Sequence, residues 1–328
     1  MANFKVMTWN IENLFLVGNE SGSKTPEEYT RKLKSLSDVI LKLDPDVLAA
    51  QEIGDLEAFE ELVALLQGRY PHVRVSTSPD ARGIRVGFLS KLEIEEHEDI
   101  KTFPEGGLLK VLGYVTEESV TEITKMGRGA LRILVRPKQD VPIHLINAHL
   151  KSKLLTFSSS TGQARFNPKN ENERAQVAGL ALLRRTAESV ALRVKANELL
   201  ENSDQQRLIV LGDLNDVSSA ATTQILQGPT GSEIGTSGFA RRDKGDDTRL
   251  FNLAPRIDEE RRYSRIHRNS KELIDHIFAS QELLLGELPA VDSHVDLTNP
   301  LPSISDDPNQ RQGKPGSDHA PVTAIFDL

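Results

Sequence analysis

Hydrophobic and polar positions along the chain switch between two periods, and the switches outline an α/β protein. Phe4-Lys5-Val6-Met7-Thr8-Trp9-Asn10 alternates near period two and reads as a strand. Thr25-Pro26-Glu27-Glu28 is a helix start, after which Leu33, Leu36, Val39, Ile40 and Leu43 recur at helical spacing until Asp44-Pro45 stops them. Val47-Leu48-Ala49-Ala50 predicts a buried strand that delivers Gln51-Glu52 to its carboxyl end. Asp55 stands where it can cap a helix carrying Phe59, Leu62, Val63 and Leu66. Such a β-α-β-α opening implies helices packed on sheets around a well-filled core.

Further on, 83–90 with 92–100, 131–135 with 143–148, and 263–266 with 273–279 read as strand pairs. Residues 155–172 lack periodicity and are expected to form a long mobile loop, of the kind that more often serves function than not. Residues 172–200 carry the longest helical pattern, with Val177, Leu180, Leu183, Val190, Val194 and Leu199, and should cross one sheet face. Leu208-Ile209-Val210-Leu211 predicts a strand buried on both faces, ending in a sharp turn at Gly212. Residues 228–260 and 299–314 read as irregular, and a last strand follows Pro321 to near Phe326.

Composition narrows the function classes. The 328 residues carry a net charge of -8, which argues against holding nucleic acid by bulk charge. A nuclease stays possible, because a site needs only a local basic rim and bound cations invert the local field. The absence of cysteine removes disulfides, thiolate metal sites and cysteine nucleophiles, and fits a reducing compartment. No secretory leader and no membrane-length apolar stretch is visible, so a soluble, cytoplasmic protein without a membrane partner is expected.

The chemistry gathers at strand ends: Asn10, Glu52, His149, Asp213, Asn215, Asp275, Asp318 and His319. Taken alone, Gly212-Asp213-Leu214-Asn215-Asp216 is an ordinary turn sequence. Asp275 is different, because a carboxylate inside the apolar run Ile274–Phe278 is costly unless paired, and Asp318-His319 offers a histidine partner. The carboxylate and amide oxygens of Asn10, Glu52, Asp318 and Asp213 suit a hard divalent ion such as Mg²⁺ or Mn²⁺, whereas a chain without cysteine and with few clustered histidines suits zinc poorly. Metal-assisted attack of water on a phosphoester is the reaction these groups fit.

The set Trp9-Asn10, Gln51-Glu52, Asn147-Ala148-His149-Leu150, Gly212-Asp213-Leu214-Asn215, Ile274-Asp275-His276-Ile277 and Ser317-Asp318-His319 resembles the endonuclease/exonuclease/phosphatase superfamily. The motifs run in the family's order from residue 9 to residue 319. The resemblance implies a single catalytic domain over 1–328, folded as a four-layer α-β-β-α sandwich of two packed mixed sheets flanked by helices. It implies that Glu52 is the principal metal ligand, with Asn10 and Asp318 beside it. Asp213 would position or deprotonate water and Asn215 contact the phosphate, while His319, held by Asp275, binds phosphate or moves a proton. His149 would be a second imidazole near the scissile group. His276, where many relatives have an aromatic, is expected to be structural, and no match is found to the cleft tyrosine of some abasic-site enzymes.

Lys151, Arg128 and Arg174 are candidate substrate contacts, joined by Lys153, Arg165, Lys169 and the basic run from Arg261 to Lys271 around Tyr263. The same cations could equally form a solvated face paired with Asp258, Glu259 and Glu260. Three readings stay open: a Mg²⁺- or Mn²⁺-dependent nuclease of DNA or RNA, the same chemistry on a small phosphoester, and a silent binding protein. The intact set of polar residues counts against the third.

Overall fold

The computed structural model describes residues 3–106, 109–116, 119–157, 165–201, 206–228, 231–239, 248–285, 291–307 and 309–328. Parts of the three segments expected to lack regular structure lie outside the described residues: 158–164 of 155–172, 229–230 and 240–247 of 228–260, and 308 of 299–314. In chain order the elements are β1 (Asn3–Leu14), α1 (Pro26–Leu43), β2 (Val47–Ile53), α2 (Leu56–Ala64), β3 (His72–Val75), β4 (Arg85–Ser90) and β5 (Glu96–Thr102). Next come β6 (Val111–Thr116), β7 (Ser119–Ile123), β8 (Lys125–Lys138), β9 (Val141–His149), α3 (Glu171–Leu200), β10 (Leu208–Asp213) and α4 (Ala221–Gln227). The chain closes with β11 (Leu250–Asn252), β12 (Arg265–His267), β13 (Ser270–Glu272), β14 (Asp275–Ser280), α5 (Glu282–Leu285), β15 (Val291–Val295), β16 (Ser303–Ile304) and β17 (Val322–Asp327).

Two six-stranded mixed sheets carry the fold, ordered β15-β17-β1-β2-β4-β3 and β11-β14-β10-β9-β8-β5. Each has one parallel pair at its centre, β1 with β2 and β9 with β10, flanked by antiparallel neighbours. Strand periodicity sorts the residues into layers. Phe4, Val6, Val47 and Ala49 of the first sheet meet Ile143, Leu145, Ile209 and Leu211 of the second in one buried cluster. The alternate residues Met7, Trp9, Leu48 and Ala50 face Leu36 and Ile40 of α1 and Phe59 and Leu62 of α2. On the far side, Ile146, Val210 and Phe278 face Leu192, Ala196 and Leu200 of α3 and Leu226 of α4. The expected four-layer sandwich is what the chain forms.

Several local expectations are corrected. Residues 83–90 and 92–100 do not pair with each other: β4 joins β2 and β3, while β5 lies on the edge of the other sheet against β8. Residues 263–266 and 273–279 part likewise, because β12 pairs with β13 in a small third sheet while β14 joins β10 and β11. Thr25 caps α1 as expected, accepting Glu28 N at 3.3 Å, but the Asp55 carboxylate makes no bond to α2 and accepts Leu16 N at 2.8 Å instead. Gly212 is no turn. It stays inside β10, opposite Ala148, with φ +149°, and a Cβ there would lie 1.9 Å from the Ala148 carbonyl oxygen. Only glycine fits that close approach of parallel strands.

Helix α3 departs from its hydrophobic pattern. Its buried line runs through Ala181, Arg185, Glu188, Leu192 and Ala196, while Leu180, Leu183, Val190, Val194 and Leu199 are half-buried. The two buried charges are both partnered: Arg185 pairs with Asp216 at 3.1 Å and Glu188 accepts the Gly127 and Lys151 backbone N–H groups at 2.9 and 2.7 Å.

Candidate active site

The facing sheet surfaces become polar at one end, where the strands of both parallel pairs have their carboxyl termini. The first polar layer is Thr8, Gln51 and Asn147, all fully buried. Gln51 Nε2 donates to Thr8 Oγ1 at 3.0 Å and to Asn147 Oδ1 at 2.7 Å, and Asn147 Nδ2 donates to the Ala50 and Gly87 carbonyls at 3.0 and 2.8 Å. These bonds cross between the sheets and fix their separation. A step of two residues along each strand then leads from Thr8 to Asn10, from Asn147 to His149, from Leu211 to Asp213 and from Ile277 back to Asp275.

Asp213 is the centre of this second layer. Its Oδ2 accepts Asn10 Nδ2 at 3.0 Å and lies 3.3 Å from His149 Nε2 and 4.0 Å from His319 Nε2. Its Oδ1 accepts Asn215 N at 2.9 Å. Nδ1 of His319 is 2.7 Å from Asp275 Oδ2, so the ring is gripped on one side and presents Nε2 to Asp213. Trp9 Nε1 donates to the His319 carbonyl at 2.8 Å, and Ser317 Oγ accepts His319 N at 3.0 Å while donating to the Asn10 carbonyl at 2.6 Å. The last loop is thereby pinned to β1.

Burial and charge drive these groups apart in acidity. Burial and the neighbouring Asp275 charge push Asp213 up to about 6, against the pull of His319. For His319 burial favours the neutral ring, but Asp275, Asp213 and Asp318 outweigh it and push the imidazole up to about 10. His149 goes the other way: burial, with Arg128 and His319 nearby, holds it well below the usual range. The site thus presents one carboxylate flanked by a cationic and a neutral imidazole.

A second acidic group adjoins. The β1–β2 register shifts between Asn10 and Leu14 and the β2–β4 register shifts between Ala50 and Ile53, and these bulges aim Glu12, Asn13 and Glu52 into the cleft. Glu12, Asn13, Glu52 and Asn215 have φ of 53°, 47°, 63° and 55°, half of the eight non-glycine residues with positive φ among the described residues. Such strain persists only where surroundings over-determine it, and it clusters at functional sites. Glu52 Oε2 accepts Asn13 N at 2.9 Å. Glu12 Oε2 accepts Asp318 N at 3.1 Å, and burial together with the Asp318 charge pushes Glu12 up to about 7 in spite of Lys32 and Arg311. Arg311 grips both Glu12 oxygens at 3.2 Å.

Two parts of the cleft could hold a cation. Ligand atoms of Asp213, Asp275 and His319 lie within 4.8 Å of one another. That group is already closed by the Asp275–His319 hydrogen bond. The Glu12, Glu52 and Asp318 side offers oxygen donors only, and the buried Asn13 Oδ1 there has no hydrogen-bond partner among the described residues, while Arg311 and Lys32 face Glu12.

Asn10, Glu52, Arg128, His149, Asp213, Asn215, Asp318 and His319 all line one cleft, with Asp275 buried behind His319. Asn10 is turned toward Asp213 by its NH₂ and accepts Glu12 N at 2.9 Å through its oxygen. Two candidate substrate contacts lie elsewhere. Lys151 folds its ammonium onto the Ser152 and Leu154 carbonyls, both at 3.0 Å, and Arg174 is exposed on the first turn of α3, paired with Glu171. Neither lines the cleft; Arg82, Lys153 and Arg265 do. His276 is buried on the other face of β14, away from the cleft, with Nε2 2.9 Å from the Asp216 carbonyl and Nδ1 3.2 Å from Asn252 Nδ2. Sequence reading missed Glu12, although alternation from Thr8 through Asn10 pointed to it, and missed Arg82 and Arg311, which no local pattern marks.

The chain belongs to the endonuclease/exonuclease/phosphatase family, whose model matches residues 7–319. That places it among the deoxyribonuclease I-like hydrolases of phosphoester bonds, which are generally dependent on divalent metal. Solved structures share the fold. Truncated Caenorhabditis elegans TDP2 is 16% identical with a TM-score of 0.57, covering 99% of this chain and 98% of its own. D. rerio TDP2, complexed with a single-strand DNA product, is 16% identical with a TM-score of 0.55, and coverage is 100% of both chains. ANGEL2, a 2',3'-cyclic phosphatase solved with adenosine-2',3'-vanadate, is 15% identical with a TM-score of 0.57 over 99% of this chain and 95% of its own. No curated protein matches the chain. Among the described residues, no helix is long and apolar enough to cross a membrane.

Proposed function

We propose that the whole chain is one catalytic unit, a Mg²⁺- or Mn²⁺-dependent phosphodiesterase that cleaves nucleic acid by in-line attack of water. The observation that carries this reading is the setting of Asp213, whose Oδ2 is reached by Asn10, His149 and His319 at 3.0, 3.3 and 4.0 Å in a cleft that also presents Arg82, Arg128 and Lys153. Asp213 orients water and takes its proton. Asn10 and the Asn215 N–H fix that carboxylate, and Asn215 contacts a phosphate oxygen. His319, cationic and held by Asp275, neutralises the phosphate and supplies a proton to the leaving oxygen. His149 stays neutral and donates to Asp213. Glu52, Glu12 and Asp318 would hold the divalent ion, which when bound offsets the phosphate's charge.

Nucleic acid is favoured as substrate by the cations on the cleft wall and by the D. rerio relative with its single-strand DNA product. A second reading, a small nucleotide ester, is supported by the ANGEL2 likeness. Labelled plasmid, single-stranded DNA and RNA, each with Mg²⁺, Mn²⁺ or EDTA, are to be run beside a panel of small phosphoesters. Polynucleotide cleavage abolished by EDTA is expected; turnover of small esters alone favours the second reading, and no turnover at all sinks both.

A further inference from the structure

Beside the cleft lies a second cavity of about 490 Å³, within the roughly 300–1,000 Å³ range of small-ligand sites. It is continuous with the active site, since Glu12, Asn13, Arg82 and Arg311 line both. Its own wall adds Phe166 and Lys314. Phe166 is 43% exposed and lines this cavity with part of its apolar ring open to solvent. The ring is nonetheless held in place through its backbone. Phe157 and Arg165 exchange both backbone hydrogen bonds, at 2.8 and 2.9 Å, and the Arg165 guanidinium donates to the Asn167 carbonyl at 2.8 Å. Phe166 therefore projects from between two anchored residues rather than from a slack loop.

The cavity's cations are available. Arg82 has only a 3.8 Å contact with Asp80, and Lys314 has no carboxylate within salt-bridge distance among the described residues. An exposed aromatic side chain in a cavity that also presents Arg82 and Lys314 suits a nucleobase and its phosphate, and not a phosphate alone. Because Glu12, Asn13, Arg82 and Arg311 line both cavities, an occupant of the second adjoins the cleft that holds the reacting centre.

We infer that this side cavity is a nucleobase subsite, in which Phe166 stacks an unpaired base flanking the scissile phosphate while Arg82 and Lys314 hold the neighbouring phosphate. The inference rests on the phosphodiesterase reading above and deepens it: a base seated there must be out of the duplex, so single strands and frayed ends are preferred over paired DNA.

The test compares wild type with Phe166→Ala and Phe166→Trp on a single-stranded oligonucleotide, on the same strand with abasic residues, and on its duplex. Phe166→Ala is expected to raise KM for the base-containing strand about 10-fold or more with little change in kcat. Phe166→Trp should restore it, and the abasic strand should not distinguish the three proteins. Binding is followed separately, without turnover, through quenching of 2-aminopurine fluorescence in a single strand and in 2-aminopurine riboside 5'-monophosphate, in EDTA. Unchanged KM and quenching in Phe166→Ala, or an equal loss on the abasic strand, overturns the subsite. If wild type cleaves small esters but no oligonucleotide, the nuclease reading falls. The subsite then stands or falls on whether wild type quenches the mononucleotide and Phe166→Ala does not.

Discussion

Nδ1 of His319 sits 2.7 Å from Oδ2 of Asp275, with both side chains buried. One residue ends the loop before β17 and the other opens β14, so the contact joins the two sheets across the rim of the sandwich. It fixes which nitrogen of the ring faces Asp213 and stabilises the ring's charge. His319→Ala should therefore lower kcat by about 10²–10⁴-fold with the fold intact. Asp275→Asn keeps the shape but not the charge, and should give a smaller loss. Steady-state kinetics with circular dichroism as the control decide it; a loss below tenfold in His319→Ala removes the proposed role.

Asp213 should be equally sensitive. Asp213→Asn is expected to cost about 10²–10⁴-fold in kcat. Asn10→Ala, which deprives Oδ2 of its 3.0 Å donor but leaves the carboxylate, should cost less. If Asn10→Ala proves the more damaging, Asn10 acts on substrate or metal and not through Asp213.

The same two groups set the pH dependence. With Asp213 pushed up to about 6 and His319 to about 10, kcat/KM should rise through about pH 6 and fall through about pH 10. Asp275→Asn should draw the alkaline limb to lower pH, because that charge is the largest influence raising His319. Stability follows the signs. The His319 contribution is complete below its ordinary value of 6.5 and is lost as pH climbs through about 10. His149, held below 6.5, contributes above that value and loses its contribution as pH falls. Asp213 opposes this loss, because its raised value favours the folded state in acid. Urea midpoints measured across pH should show His319→Gln flattening the alkaline flank and His149→Gln the acid one.

What could be read in advance was the part written in local period. The strands β1, β2, β9, β10 and β14 announce themselves by apolar runs, and each carries a residue of the site: β9 and β10 end in His149 and Asp213, β14 opens with Asp275, and Asn10 and Glu52 lie near the ends of β1 and β2. Pairing partners were less legible, because adjacency in the chain suggests β4 with β5, whereas β4 pairs with β2 and β3 in one sheet and β5 with β8 in the other. Charged residues misled most. Arg174 read as a cleft cation yet pairs with Glu171 on its own helix, while Arg185 and Glu188 interrupt an apolar pattern and yet are buried. A side chain that bonds distant backbone leaves no periodic trace.

Glu188 makes that point testable. Its Oε1 accepts Gly127 N at 2.9 Å and its Oε2 accepts Lys151 N at 2.7 Å, while Arg185 donates to the Lys151 carbonyl at 3.0 Å. One turn of α3 thus holds the segments next to Arg128 and His149. Glu188→Ala leaves two backbone donors and the nearby Arg184 guanidinium without their acceptor, and should cost about 3–5 kcal/mol of stability. Glu188→Gln retains one acceptor oxygen and should lose roughly 1–3 kcal/mol. Urea denaturation reads both, and a change under about 1 kcal/mol in Glu188→Ala would show that water replaces the carboxylate.

The oxygen-lined side of the cleft gives the remaining prediction. Glu12, Glu52 and Asp318 place three carboxylates about one opening, and burial with the Asp318 charge already pushes Glu12 up to about 7. A divalent cation bound there relieves that repulsion, so it binds the folded chain in preference to the unfolded one. Mg²⁺ or Mn²⁺ at 100 times its dissociation constant should then add about 2.7 kcal/mol, seen as a rise in Tm that EDTA reverses. Glu52→Gln should abolish most of the rise while leaving the metal-free Tm near that of wild type, because Glu52 is only partly buried and bonds a single backbone N–H. Asp275→Asn should keep the rise. If Asp275→Asn removes it and Glu52→Gln does not, the ion sits instead in the Asp213, Asp275 and His319 group, whose ligand atoms lie within 4.8 Å of one another.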